Sequence, residues 1–223
     1  MARPKRDKAP KAPKGPAPTT RTLGRDDWQT PPAVFDPIHA AFGFTLDASA
    51  RDGQAARVPL FISPEEDALV LPWASKLEAV PPAARRVWLN PPYGRDVGAW
   101  VDRAAGQAAT GLAVVVLIMA NTDTEYWARA LRSPQLFGTV LLSGRVPFLL
   151  PAAEGAEAEG AEGEDAAGPQ KKDGAPKGSA LLIFVPAARR AGLVPHAYWD
   201  WREEPFGPVL ASLGAANAAQ GAY

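Results

Sequence analysis

Residues 87–95 read VWLNPPYGR, and this stretch decides what kind of fold the chain makes. Val87, Trp88 and Leu89 suit the end of a buried strand. Asn90 follows, then two prolines and a tyrosine. Proline has no N–H to give a strand ladder, so the strand must stop here. The chain thus places an amide, a stiffened backbone and an aromatic ring at the mouth of a sheet.

Downstream, residues 95–108 read as a helix with Trp100, Val101, Ala104 and Ala105 toward the core. LAVVVLIM (112–119) is continuously apolar and β-branched, the pattern of a strand covered on both faces. ANTDTEYWARALRS then reads as a polar loop and a short helix. LFGTVLLSGRVPFLL (136–150) and SALLIFVP (179–186) are two more strand regions with no helix between them, which predicts an antiparallel hairpin at one edge. Upstream, Pro31 and Pro32 mark a helix start, and Val34, Phe35, Ile38, Ala41 and Phe42 recur at helical spacing before Gly43 ends it. FTLDASA (44–50) is a short strand running into Asp47. Strands alternating with helices predict an α/β domain with a mostly parallel sheet over residues 26–206.

The rest of the 223 residues reads as tails and spacer. Residues 1–25 are rich in Lys and Arg, hold one acid (Asp7) and lack aromatics, so a disordered basic tail is expected. It is either a solubilising tail or an arm that attracts phosphates. Residues 151–177 are Ala, Glu and Gly without core-forming side chains, and are expected to be a disordered insertion. Residues 207–223 are Ala- and Gly-rich and are expected to be a flexible C-terminal tail.

Composition excludes several chemistries. The absence of cysteine rules out disulfides, a thiol nucleophile and thiolate metal sites. His39 and His196 are far apart in sequence and make neither a metal site nor an acid–base pair. No Gly-x-Ser-x-Gly and no phosphate-binding glycine loop is present, which weakens hydrolase and kinase readings. No apolar stretch is long enough to span a bilayer, and a cytoplasmic protein with no membrane partner and no metal is expected. Net charge is zero and identifies no partner, and oligomeric state is not read from the sequence.

Parallel α/β sheets bind ligands at the carboxyl ends of their strands. Asp47, Asn90 and the Asn121–Thr124 segment all fall at such ends. An exocyclic amine such as N6 of adenine is a poor nucleophile, because its lone pair is delocalised into the ring. Acceptors for both of its hydrogens favour a more tetrahedral nitrogen. The Asn90 side-chain oxygen is one such acceptor and the Pro91 carbonyl a second, with Tyr93 able to stack on the purine, a contact worth about 1–3 kcal/mol per base. Asp47 also has a plainer reading, as a helix cap.

Several segments in order resemble the phage-type DNA N-6-adenine methyltransferases: DDWQTP (26–31), FTLDASA, DALVLPW (67–73), VWLNPPYG, VVVLIMANTDTEYW (114–127) and SGRVPF (143–148). The resemblance covers about residues 26–150 and 177–186. It implies a Rossmann-like class I methyltransferase fold, S-adenosyl-L-methionine as cofactor, and double-stranded DNA as partner in a bacterial or phage-infected cell, with a link to restriction and modification. It implies that Asn90, Pro91, Pro92 and Tyr93 grip the target adenine. It implies that Trp28, Thr30 and Pro31 close over the methionine end of the cofactor. Asp47 would meet the cofactor's amino group or ribose, and Asp67 its adenine. Asp123 and Trp127 match a later motif without an assigned contact. Arg95 and Arg145 are expected to meet DNA, although Arg145 could instead satisfy a turn carbonyl. The glycine-rich turn of the wider class is absent, since DASARDG offers only Gly53.

The tryptophans other than Trp28 read as core. The leading expectation is transfer of a methyl group to a flipped adenine. The alternatives are a relative acting on RNA adenine or protein glutamine, and a catalytically silent DNA-binding protein. No large recognition domain is apparent, so a loop, 51–66 or 187–206, is the expected reader of DNA sequence.

Overall fold

The computed structural model describes residues 28–150, 175–186 and 194–220. The expected basic tail 1–25 lies outside them, as does most of the insertion 151–177. Ala175, inside that expected insertion, is buried and donates its N–H to the Val146 carbonyl at 2.9 Å. Ordered packing therefore resumes before residue 178.

Helix α1 spans Pro32–Phe42 and buries Val34, Phe35, Ile38 and Phe42. Pro32 fits its first turn because no N–H is needed there. Gly43 closes it at φ 63°, a left-handed conformation that glycine adopts without Cβ strain, and its N–H bonds the His39 carbonyl. Next come β1 (Leu46–Asp47), β2 (Arg86–Leu89), α2 (Val97–Ala109) and β3 (Ala113–Met119). They are followed by α3 (Glu125–Arg132), β4 (Leu136–Leu142), β5 (Ser179–Phe184), β6 (His196–Trp199) and α4 (Phe206–Gln220).

The six strands form one sheet in the order β1-β2-β3-β5-β4-β6. β1, β2 and β3 are parallel neighbours, as are β4 and β6, while β5 runs antiparallel between β3 and β4. The mixed α/β fold is the expected one, with two differences. The antiparallel pair is interior rather than at an edge, because β6, whose residues were assigned to a loop, extends the sheet beyond β4. The expected C-terminal tail is helix α4 over most of its length, anchored by buried Phe206, Val209 and Leu213 against α1 and β6.

The strands are covered on both faces, as a run like VVVLIM requires. Val115, Leu117 and Met119 join a core with the buried faces of α1 and α4. Val114, Val116 and Ile118 join a second core with α2 and α3. Because β1, β2 and β3 are parallel, their carboxyl ends open on one edge. Asp47, Asn90 and Asn121 fall there.

Candidate active site

Asp47 ends β1 and is 4 % exposed. No helix follows it, so it is not a cap. Its oxygens accept the backbone N–H of Ser49 (3.2 Å) and of Arg57 (3.0 Å), which pull the 51–57 loop back over the strand end. Burial pushes its carboxyl up from 3.8 to about 6, against the lowering by these two N–H groups and the Arg57 charge.

Asn90 ends β2. Ser49 Oγ donates to its carbonyl at 2.8 Å and so ties the ends of β1 and β2 together. Its side-chain Nδ2 donates to the Trp28 carbonyl at 2.8 Å. That bond fixes the amide and leaves Oδ1 as the acceptor, which the Tyr93 hydroxyl fills at 2.9 Å. The same hydroxyl lies 3.3 Å from the Leu117 carbonyl. Burial, and then Tyr126, push the Tyr93 hydroxyl well above its ordinary value, so it is a neutral donor. The Pro91 carbonyl accepts no hydrogen bond from any described residue. Tyr93 packs between Trp28 (5.6 Å between centroids) and Phe148 (5.4 Å), and Trp28 stacks on Phe148 at 5.2 Å.

Two clefts meet at this edge. One, with an open volume of about 430 Å³, is polar and is lined by Trp28, Thr30, Asp47, Arg57 and Asn90 among others. The other, about 480 Å³, is lined by Ile62, Asp67, Ala68, Pro92 and Trp100. Ser49 and Ala50 line both, so the clefts adjoin.

The structure thus brings together Trp28, Thr30, Asp47 and Asn90 in one cleft and Asp67 and Pro92 in the next. Pro31 lines neither and is buried at the start of α1. Asp123 is exposed beyond β3, and Trp127 is buried in the core of α2 and α3. Arg95 and Arg145 are exposed. Arg145 hydrogen-bonds no carbonyl of a described residue, and the nearby Ser143 turn carbonyl accepts from Trp201 Nε1 (2.9 Å) and Arg202 Nη1 (3.2 Å). His39 Nδ1 accepts the Phe44 N–H within an aromatic stack, and His196 contacts Thr139, so neither reaches the clefts. Arg57, Phe148 and Trp100 are site residues that sequence reasoning missed. Trp100 was assigned to the helix core, Phe148 lay in a matched segment without a role, and Arg57 had no motif around it. Among the described residues, no group of His, Cys, Asp or Glu could hold a metal, and no helix is long and apolar enough to cross a membrane.

Asp47 and Asn90, joined through Ser49, thus stand where a polar and a mostly apolar cleft adjoin at the carboxyl edge of the sheet. A profile of the DNA N-6-adenine-methyltransferase (Dam) family matches residues 18–197, and the chain belongs to that family. Its general activity is therefore methylation of adenine in DNA. No curated protein and no solved structure matches the chain.

Asp47 carries a stability cost with a definite sign. Its carboxyl holds a proton more tightly in the folded chain than in the unfolded one. The penalty for ionising it is absent below about pH 4 and complete above about pH 7, a change of about 3 kcal/mol for a two-unit shift. Asp47→Asn removes this dependence. The urea-derived stability of the variant relative to wild type is expected to rise with pH across that window. A constant difference between the two would place the titration elsewhere.

Proposed function

We infer that the chain transfers a methyl group from S-adenosyl-L-methionine to N6 of an adenine turned out of duplex DNA. The observation that carries this reading is the Asn90 amide, turned by its bond to the Trp28 carbonyl so that Oδ1, which the Tyr93 hydroxyl fills at rest, serves as the acceptor. The residues fit the cofactor. The polar cleft offers Asp47 to an ammonium and holds buried donors without partners, Thr30 Oγ1 and Arg57 Nη2. The neighbouring cleft offers Trp100, Ile62 and Pro92 to an adenine, with Asp67 at its polar side. When bound, the cofactor supplies an electrophilic methyl group on a sulfonium.

The chain's own residues do the rest. Asn90 Oδ1 and the Pro91 carbonyl accept the two N6 hydrogens, which frees the nitrogen lone pair from the ring. Tyr93 gives up its bond to Asn90 and presents its ring to the purine, with Phe148 beside it. A stacked base cannot reach an acceptor set inside a cleft, so the adenine must leave the helix. Exposed Arg95 and Arg145 meet the DNA backbone.

The test is incubation with methyl-labelled S-adenosylmethionine and unmethylated duplex DNA, followed by digestion to nucleosides. Label in N6-methyladenine is the expected result. Label only in RNA adenine or in protein glutamine would replace the substrate, and cofactor binding without any transfer would leave a silent binding protein.

A further inference from the structure

Arg57 has no place in the reading drawn from the sequence. It lies in the loop after β1, ten residues beyond Asp47, and lines the polar cleft. Its backbone N–H is spent on Asp47. Its guanidinium makes no ion pair and no hydrogen bond with any described residue, and Nη2 is fully buried. Thr30, 1 % exposed and lining the same cleft, also has a buried hydroxyl without a partner. Two buried donors in one cleft therefore lack an acceptor. Leaving a buried donor unmade is costly, and more so when the group is charged. Asp47 does not meet the need, since it bonds the Ser49 and Arg57 backbone N–H groups and makes no hydrogen bond with the guanidinium.

We propose that Arg57, with Thr30, binds the carboxylate of the cofactor's amino-acid end, while Asp47 faces its ammonium. This rests on S-adenosylmethionine as the cofactor. A cation and an anion lining one cleft complement a zwitterion, and a planar guanidinium suits a carboxylate better than a point charge does. The orphaned donors then acquire an acceptor, and the Arg57 charge gains a partner besides the nearby Asp47 and Asp36 charges. Arg57 is a binding residue for the cofactor and takes no part in moving the methyl group.

The experiment crosses two ligands with three proteins, all full-length. Isothermal titration measures S-adenosylhomocysteine, which carries the amino-acid end, and 5′-methylthioadenosine, which lacks it. The proteins are wild type, Arg57→Ala and Arg57→Lys, each checked for native far-ultraviolet circular dichroism. Loss of a charge-assisted pair is expected to weaken S-adenosylhomocysteine about 10–100-fold in the alanine variant. The affinity for 5′-methylthioadenosine should stay within about twofold, and Arg57→Lys should recover part of the loss. Equal weakening of both ligands would mean that Arg57 only supports the loop and would overturn the proposal, as would no weakening of either. If wild type bound neither ligand, the cofactor reading itself would fall. If Arg57→Ala were unfolded, the lysine variant alone would decide, by whether it loses affinity selectively for the carboxylate-bearing ligand.

Discussion

Asn90→Ala is expected to lower the methylation rate about 10³-fold, the scale on which removing one preorganised polar group at a reacting centre acts. The change deletes the acceptor for the target amine and leaves the Tyr93 hydroxyl with the Leu117 carbonyl alone. It also removes the Asn90 Nδ2 bond to the Trp28 carbonyl, which costs about 1 kcal/mol of stability. Cofactor affinity should change little, because the groups assigned to the cofactor lie on other residues of the cleft. Single-turnover rates with saturating cofactor separate the two effects. Asn90→Asp sharpens the result. It keeps an acceptor for the amine but cannot donate to the Trp28 carbonyl, so its loss should be smaller than that of alanine. Equal loss in both would make the Trp28 bond, rather than the acceptor, the contribution that matters.

Trp73→Ala is expected to destabilise the fold by about 3–5 kcal/mol, the range for emptying a large buried aromatic site. Trp73 is fully buried among Leu46, Leu77, Leu89 and Val101. Its Nε1 donates to the Ala68 carbonyl at 2.7 Å, and its backbone N–H bonds Gln107 Oε1 at 3.1 Å. The ring therefore folds the 67–73 loop onto itself as well as filling the core, while the backbone N–H ties the loop to α2. Since Ala68 and Asp67 line the cleft beside Trp100, the loss should also weaken adenosine binding. Trp73→Phe retains most of the ring volume and should cost markedly less. Urea unfolding monitored by circular dichroism measures both.

Much of this was legible because it was local. The strand ending at Leu89 announces itself by apolar residues running into prolines, and β3 by seven residues with nowhere polar to face. β6 was not legible. Of His196, Ala197, Tyr198 and Trp199 only Trp199 is buried, so neither period two nor continuous apolarity appears. The strand forms because β4 offers it an edge. α4 was missed for a related reason. Phe206, Val209 and Leu213 have helical spacing, but Ala and Gly dilute the signal, and packing against α1 supplies what propensity does not. The insertion of β5 between β3 and β4 is a long-range pairing choice that no local window contains. Asn90 and Asp47 were placed at the sheet's carboxyl edge because strand ends are predictable. Arg57 was not, because a cation in an irregular loop looks like any solvated charge until the cleft around it is seen.

Tyr93 on Asn90 Oδ1 gives the resting protein a standard of comparison. On the proposed function, a base entering the cleft does not find a vacant acceptor; it must outbid an internal hydroxyl that already fills it. Adenine returns a hydrogen for the one withdrawn, so the exchange is nearly even and the stacking decides it. Guanine and thymine present a carbonyl oxygen at the matching position, which gives nothing back and sets two acceptors against each other. The tyrosine thereby acts as a threshold for base identity before any bond is made, and strong attraction to DNA must come from phosphate contacts outside the cleft.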